Sequence, residues 1–139
     1  MQHVLPARVL IVAHRTAATP RLLDAVRARS QRSSCSFTLL VPRPYWDPDT
    51  EEATVTLELA VPLLEEAAGD HVEGIVGDSD PFVAAKHLHD REPFDEAIVS
   101  TLPEHVSHWL RRDLPHRLEQ LGVPVTVVTA KRSDRPLST

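Results

Sequence analysis

The sequence is short of several things, and each shortage excludes something. Of its 139 residues only Cys35 is a cysteine, so no internal disulfide can form and no cysteine metal cage can be built. No apolar stretch approaches the roughly 20 residues that a helical membrane span needs. The start, Met1-Gln2-His3-Val4-Leu5-Pro6, has neither the charged nor the apolar region of a signal peptide, so a cytoplasmic location is expected. There is no long block of one charge either. The net charge is −5 and no basic face or stripe is visible, which argues against a nucleic-acid binder. Aromatic residues make up 4% of the chain, and they decide nothing about function.

What is present reads as one compact domain. Apolar content of 42% and charged content of 25% are ordinary for a globular chain long enough to bury a core. The organising stretch is Arg8-Val9-Leu10-Ile11-Val12-Ala13-His14-Arg15-Thr16. Its apolar run suits a strand buried on both faces, and it stops at a polar, cationic edge. Thr19-Pro20 then marks a helix start, with Leu22, Leu23 and Val26 on one face and Arg21 and Arg27 toward solvent. The polar run Ser30 to Ser36 reads as a loop. Phe37-Thr38-Leu39-Leu40-Val41 reads as a second strand ended by Pro42.

The proline-rich Pro42–Asp49, with Tyr45 and Trp46, is expected to be an exposed loop. From Thr50 to Gly69 a strand-like alternation over Thr54–Val61 conflicts with helix start and stop signals, and a helix broken or bent near Pro62 is the expectation. His71–Val76 is a third strand, followed by Gly77-Asp78-Ser79 and a helix over Phe82–His89 capped by Asp80 or Ser79. Phe94–Thr101 is a fourth strand. Trp109, Leu110, Leu114, Leu118 and Leu121 sit near helical spacing, with a break suggested at Asp113 and Pro115. Gly122 ends that helix, and Val123–Val128 is the last strand. A single domain over 1–130 and a disordered tail over 131–139 are expected. The βαβαβαβαβ order implies an α/β fold, an open parallel sheet covered on both faces.

These residues resemble a universal stress protein domain over nearly the whole chain. The resemblance rests on Val9-Leu10-Ile11-Val12, Gly77-Asp78, Ala97-Ile98-Val99 and the closing Val123-Pro124-Val125-Thr126-Val127-Val128. It implies a three-layer sandwich of the adenine nucleotide α-hydrolase-like kind, with a five-stranded parallel sheet in order 3-2-1-4-5. It also implies a homodimer joined through the last strand. Val125 and Val127 on an uncovered edge give that dimer a physical motive. The wording Val12-Ala13-His14-Arg15-Thr16-Ala17, with Ser100-Thr101-Leu102-Pro103 and Ser107-His108-Trp109-Leu110-Arg111, looks like a divergent bacterial branch.

ATP-binding members carry an acidic residue after the first strand, and His14 stands at that position here. They also carry a Gly-x-x-Gly motif after strand four whose amides hold the phosphates. This chain has Thr101-Leu102-Pro103-Glu104. Pro103 removes a donor and Glu104 brings a negative charge, while Arg111 and Arg112 lie roughly opposite the family's later Gly-Ser. The usual phosphate cradle is therefore missing.

In such sheets ligands bind beyond the strands' carboxyl ends. The candidate rim comprises Ala13, His14, Arg15, Thr16, Val41, Gly77, Asp78, Ser100, Thr101, Arg111 and Arg112. The cations would attract a small anionic ligand and the hydroxyls would donate hydrogen bonds. Val41 would correspond to the family's adenine-contacting strand end. The opposing reading pairs Arg15 with Asp78 or Glu104 around water.

His105 with His108, and His87-Leu88-His89-Asp90, lack the three or four convergent ligands of a zinc site, so no metal is expected. Ser100 or Thr101 with His105 or His14 could be drawn as a dyad, but no nucleophile elbow exposes either hydroxyl. Cys35 reads as incidental, and Arg111-Arg112-Asp113 as a solvated helix face. Ala13-His14-Arg15 lacks the acidic residues of a signalling receiver domain. The favoured expectation is a non-enzymatic, stress-associated binding or regulatory protein without a resident cofactor. Its rival is a protein binding ATP or AMP with weak or no hydrolase activity, phosphates held by arginine, histidine and hydroxyls. A third is a partner-binding module using the Tyr45-Trp46 loop.

Overall fold

The structure is a computed structural model and describes residues 6–44, 51–101 and 114–129. Five strands alternate with four helices: β1 (Ala7–Val12), α1 (Pro20–Arg32), β2 (Cys35–Pro42), α2 (Glu51–Ala68), β3 (Val72–Gly77), α3 (Pro81–Arg91), β4 (Glu96–Thr101), α4 (Leu114–Gln120) and β5 (Val125–Thr129). All neighbours in the sheet run parallel, in the order β3-β2-β1-β4-β5. The expected α/β fold and strand order are both observed.

The period of two along each strand sorts the apolar residues into two cores. Val9 and Ile11 of β1, Phe37, Leu39 and Val41 of β2, and Ile98 of β4 face Leu22 and Val26 of α1 and Ala60 and Leu64 of α2. Leu10 and Val12, Leu40, and Ala97 and Val99 face Ala84 and Ala85 of α3 and Leu114 and Leu118 of α4. A central strand used on both sides has no polar position to spare, which is why Val9 to Val12 read as an unbroken apolar run.

Several boundaries differ from the sequence expectation. The run Ser30 to Ser36 is not one loop: α1 continues to Arg32, and β2 already starts at Cys35. Within α1 the Ser30 hydroxyl donates to the Arg27 carbonyl at 2.8 Å. Arg29 holds the end of α1 down. It is 7% exposed and meets Glu96 of β4 at 2.9 Å, while its guanidinium also donates to the Ser33 hydroxyl at 3.0 Å.

Residues 51–68 form the expected helix, but it is continuous through Pro62 rather than broken there. Pro62 lies on the exposed side, where the carbonyl left without its donor can meet water. Pro42 is the last residue of β2 rather than the residue after it. α4 is described over Leu114–Gln120, and Trp109 and Leu110 lie outside the described residues, as do Tyr45, Trp46 and the segment 131–139.

Asp80 caps α3, accepting from the amides of Phe82 at 2.9 Å and Val83 at 3.3 Å. Thr19 stands at the N-cap of α1, but its hydroxyl donates backward to the Thr16 carbonyl at 3.2 Å instead of capping the helix. That bond belongs to the turn that forms the site.

Candidate functional site

In a sheet of order 3-2-1-4-5 the crossovers from β1 lead one way and those from β4 the other, so the crevice between their carboxyl ends is the topological switch point. β1 delivers Ala13 to Thr16 to this crevice, and β4 delivers Ser100 and Thr101. The turn after β1 is held by its own backbone. The Ala13 amide donates to the Leu40 carbonyl at 3.2 Å, Ala17 to His14 at 3.1 Å, and Thr19 to Thr16 at 3.3 Å. Ser100 donates its hydroxyl to the Thr16 hydroxyl at 2.8 Å, with both side chains buried. That bond ties the β1 turn to the end of β4.

His14 is the electrostatically unusual member. Among the described residues its buried Nε2 has no hydrogen-bond partner, and it lies 4.0 Å from the Glu52 carboxylate in the first turn of α2, beyond hydrogen-bonding range. Burial pushes the imidazole below its ordinary pKa of 6.5; Glu52 pulls it back up, and Arg15 adds to the lowering. The ring is therefore neutral at pH 7. Arg15 is exposed, and no ion pair joins it to Asp78 among the described residues.

The remaining rim candidates divide by use. Val41 and Thr101 are buried at the ends of their strands. Gly77 is a packing glycine: a Cβ there would come within 2.6 Å of Leu40 Cδ1 and 2.8 Å of Ala84 Cβ, so its bareness lets α3 approach the sheet. The Asp78 carboxylate accepts from the Asp80 amide at 2.9 Å, in the turn leading to α3. Arg111, Arg112, Pro103, Glu104, His105 and His108 lie outside the described residues.

No three His, Cys, Asp or Glu side chains converge as metal ligands among the described residues, and His89 instead accepts from the Phe94 amide through Nδ1 at 3.0 Å. Sequence reasoning missed Glu52 as the neighbour of His14, because it read that residue only as a helix-start signal.

The same architecture occurs in solved structures. A universal stress protein from Archaeoglobus fulgidus superposes with a TM-score of 0.64 at 14% identity, covering 88% of this chain and 93% of that one. The fold is that of the universal stress proteins. A universal stress protein from the same organism, solved in complex with dAMP, matches at TM-score 0.58 and 16% identity over 91% of this chain and 99% of that chain. A universal stress protein family protein from Arabidopsis thaliana with AMP bound matches at TM-score 0.62 and 17% identity, covering 91% and 94%. No protein-family profile matches the chain, and no curated protein sequence does. No helix among the described residues is long and apolar enough to cross a membrane.

Proposed function

We propose that this chain is a non-enzymatic binding protein of the universal stress type, with a small adenine nucleotide of the AMP class as its ligand. Residues 13–16, with Ser100 and Thr101, form the binding crevice. The reading rests on one observation: the buried Thr16–Ser100 hydroxyl pair, with His14 and Arg15 beside it, sits at the topological switch point. The AMP and dAMP carried by proteins of the same fold support it. A monophosphate asks for one or two cationic contacts, of which Arg15 can supply one; the neutral His14 ring can offer a hydrogen bond, and Arg111 and Arg112 are proposed to assist. A triphosphate asks for a run of backbone amides, and Thr101-Leu102-Pro103-Glu104 is poorly suited to provide it.

The non-enzymatic part is supported by the engagement of Ser100. Its hydroxyl donates to Thr16, and among the described residues no serine–histidine dyad is assembled there. We further propose a cytoplasmic stress role and a homodimer through the β5 edge, where Val127 is 47% exposed.

Calorimetric titration tests the ligand assignment. AMP is expected to bind more tightly than ATP with magnesium, no phosphate is expected to be released, and Arg15→Ala is expected to weaken AMP by roughly tenfold or more, as loss of a charged hydrogen bond does. ATP binding tighter than AMP, or sustained phosphate release, would overturn the proposal.

A further inference from the structure

Among the described residues a single buried side-chain polar atom lacks a hydrogen-bond partner, and it is His14 Nε2 at the edge of the crevice. The side chain is 16% exposed, and the Glu52 carboxylate stands 4.0 Å from that nitrogen. A charge-assisted N–H···O bond closes at about 2.7–2.9 Å, so the two groups stop about 1 Å short of one. A neutral ring has no charge to draw the carboxylate in. An imidazolium has.

Two charged groups act on the ring among the described residues. Glu52 on α2 favours its protonated form, and Arg15, its neighbour in the chain, opposes it. Glu51, beside Glu52, is exposed. The strand ends flanking β1 are uncharged: Val41 and Pro42 on β2, Ser100 and Thr101 on β4. The positive end of the α2 dipole supports the Glu52 carboxylate and opposes the imidazolium. While His14 is neutral, Glu52 and Arg15 offset each other, and an anion entering beside the ring meets a carboxylate. Once His14 is protonated, the same cluster carries a net positive charge.

We propose that His14 and Glu52 form a proton switch on the crevice: uptake of one proton by His14 neutralises the Glu52 carboxylate, and an anionic ligand then binds more tightly. This rests on the reading of the crevice as a nucleotide site and adds its regulation. Reciprocity requires that a bound anion tighten the hold of His14 on its proton by the same factor. Because burial lowers the pKa of the free ring, the switch operates on the acid side of neutrality.

The test needs a ligand of constant charge, since a phosphate monoester takes up a second proton of its own near pH ~6. Adenosine 5′-sulfate, with one permanent negative charge, is the probe, titrated calorimetrically into the full chain. Wild type is expected to bind it about tenfold more tightly at about pH 5.5 than at about pH 7.5. Glu52→Gln and His14→Gln are each expected to flatten this response. Only Glu52→Gln is expected to tighten binding at the higher pH, because only it removes the carboxylate's charge. In the wild type itself, the titration midpoint of the His14 ring, followed by NMR, is expected to rise by about one pH unit when the probe saturates the protein. Equal wild-type affinity at both pH values, or a His14 midpoint unmoved by bound probe, would overturn the switch and leave the crevice reading standing. Failure of both the probe and AMP to bind at either pH would overturn the crevice reading, and the switch with it.

Discussion

His14 leaves β1 with its imidazole turned inward, and its protonation is coupled to folding. Its ordinary pKa is 6.5, and burial lowers it in the folded chain. As pH falls through 6.5 the unfolded chain takes up this proton, while the folded chain resists until lower pH. The unfolded state then binds more protons, so the stability contributed by neutral His14 is present above 6.5 and is lost as pH falls toward the folded value. The urea midpoint of the wild type is expected to drop more steeply between about pH 7 and pH 5 than that of His14→Gln. Equal slopes would show that the imidazole carries none of this dependence. The meeting of Thr16 and Ser100 was legible because strand ends announce themselves: each follows an apolar run, and the structure brings them together. Glu52 beside His14 and Arg29 against Glu96 were not legible. Each pairs residues far apart in the chain, and a surface-type arginine gives no local sign that a carboxylate on another element awaits it.

At the scale of elements, helix starts were the most readable feature. Thr19-Pro20 and Asp80-Pro81 each place a proline where its missing amide costs nothing, and α1 and α3 begin there. Residues 51–68 were the least readable, because a period-two alternation competes with flanking helix signals and tertiary packing decides between them. Ala60, Leu64 and Ala67 are buried in one row, and that row is the helical answer. Pro62 is then a local cost that the packing of this row outweighs. Pro62→Ala restores an amide donor to an exposed helix position, and it is expected to raise the unfolding free energy by about 1–3 kcal/mol in urea titrations. A lower stability would mean that the proline fits a local geometry that α2 requires. The run Ser30 to Ser36 misled for the opposite reason, since serines that favour loops in isolation also bond back to helix carbonyls, as Ser30 does to Arg27.

At the scale of the molecule, the sheet order places the candidate site. With β1 in the centre and β4 beside it, the two crossover directions diverge over residues 13–16 and 100–101. Alternating elements in the sequence implied the parallel sheet. The order itself came from the resemblance, because periodicity does not say which strands are neighbours. The account depends on that crevice being where a nucleotide lands, and a backbone amide spectrum of the isotope-labelled protein recorded with added AMP reads this directly. The amides of Ala13 to Thr16 and of Ser100 and Thr101 are expected to shift together and to saturate at one affinity. Saturable shifts confined to other parts of the chain, with these amides unmoved, would contradict the account.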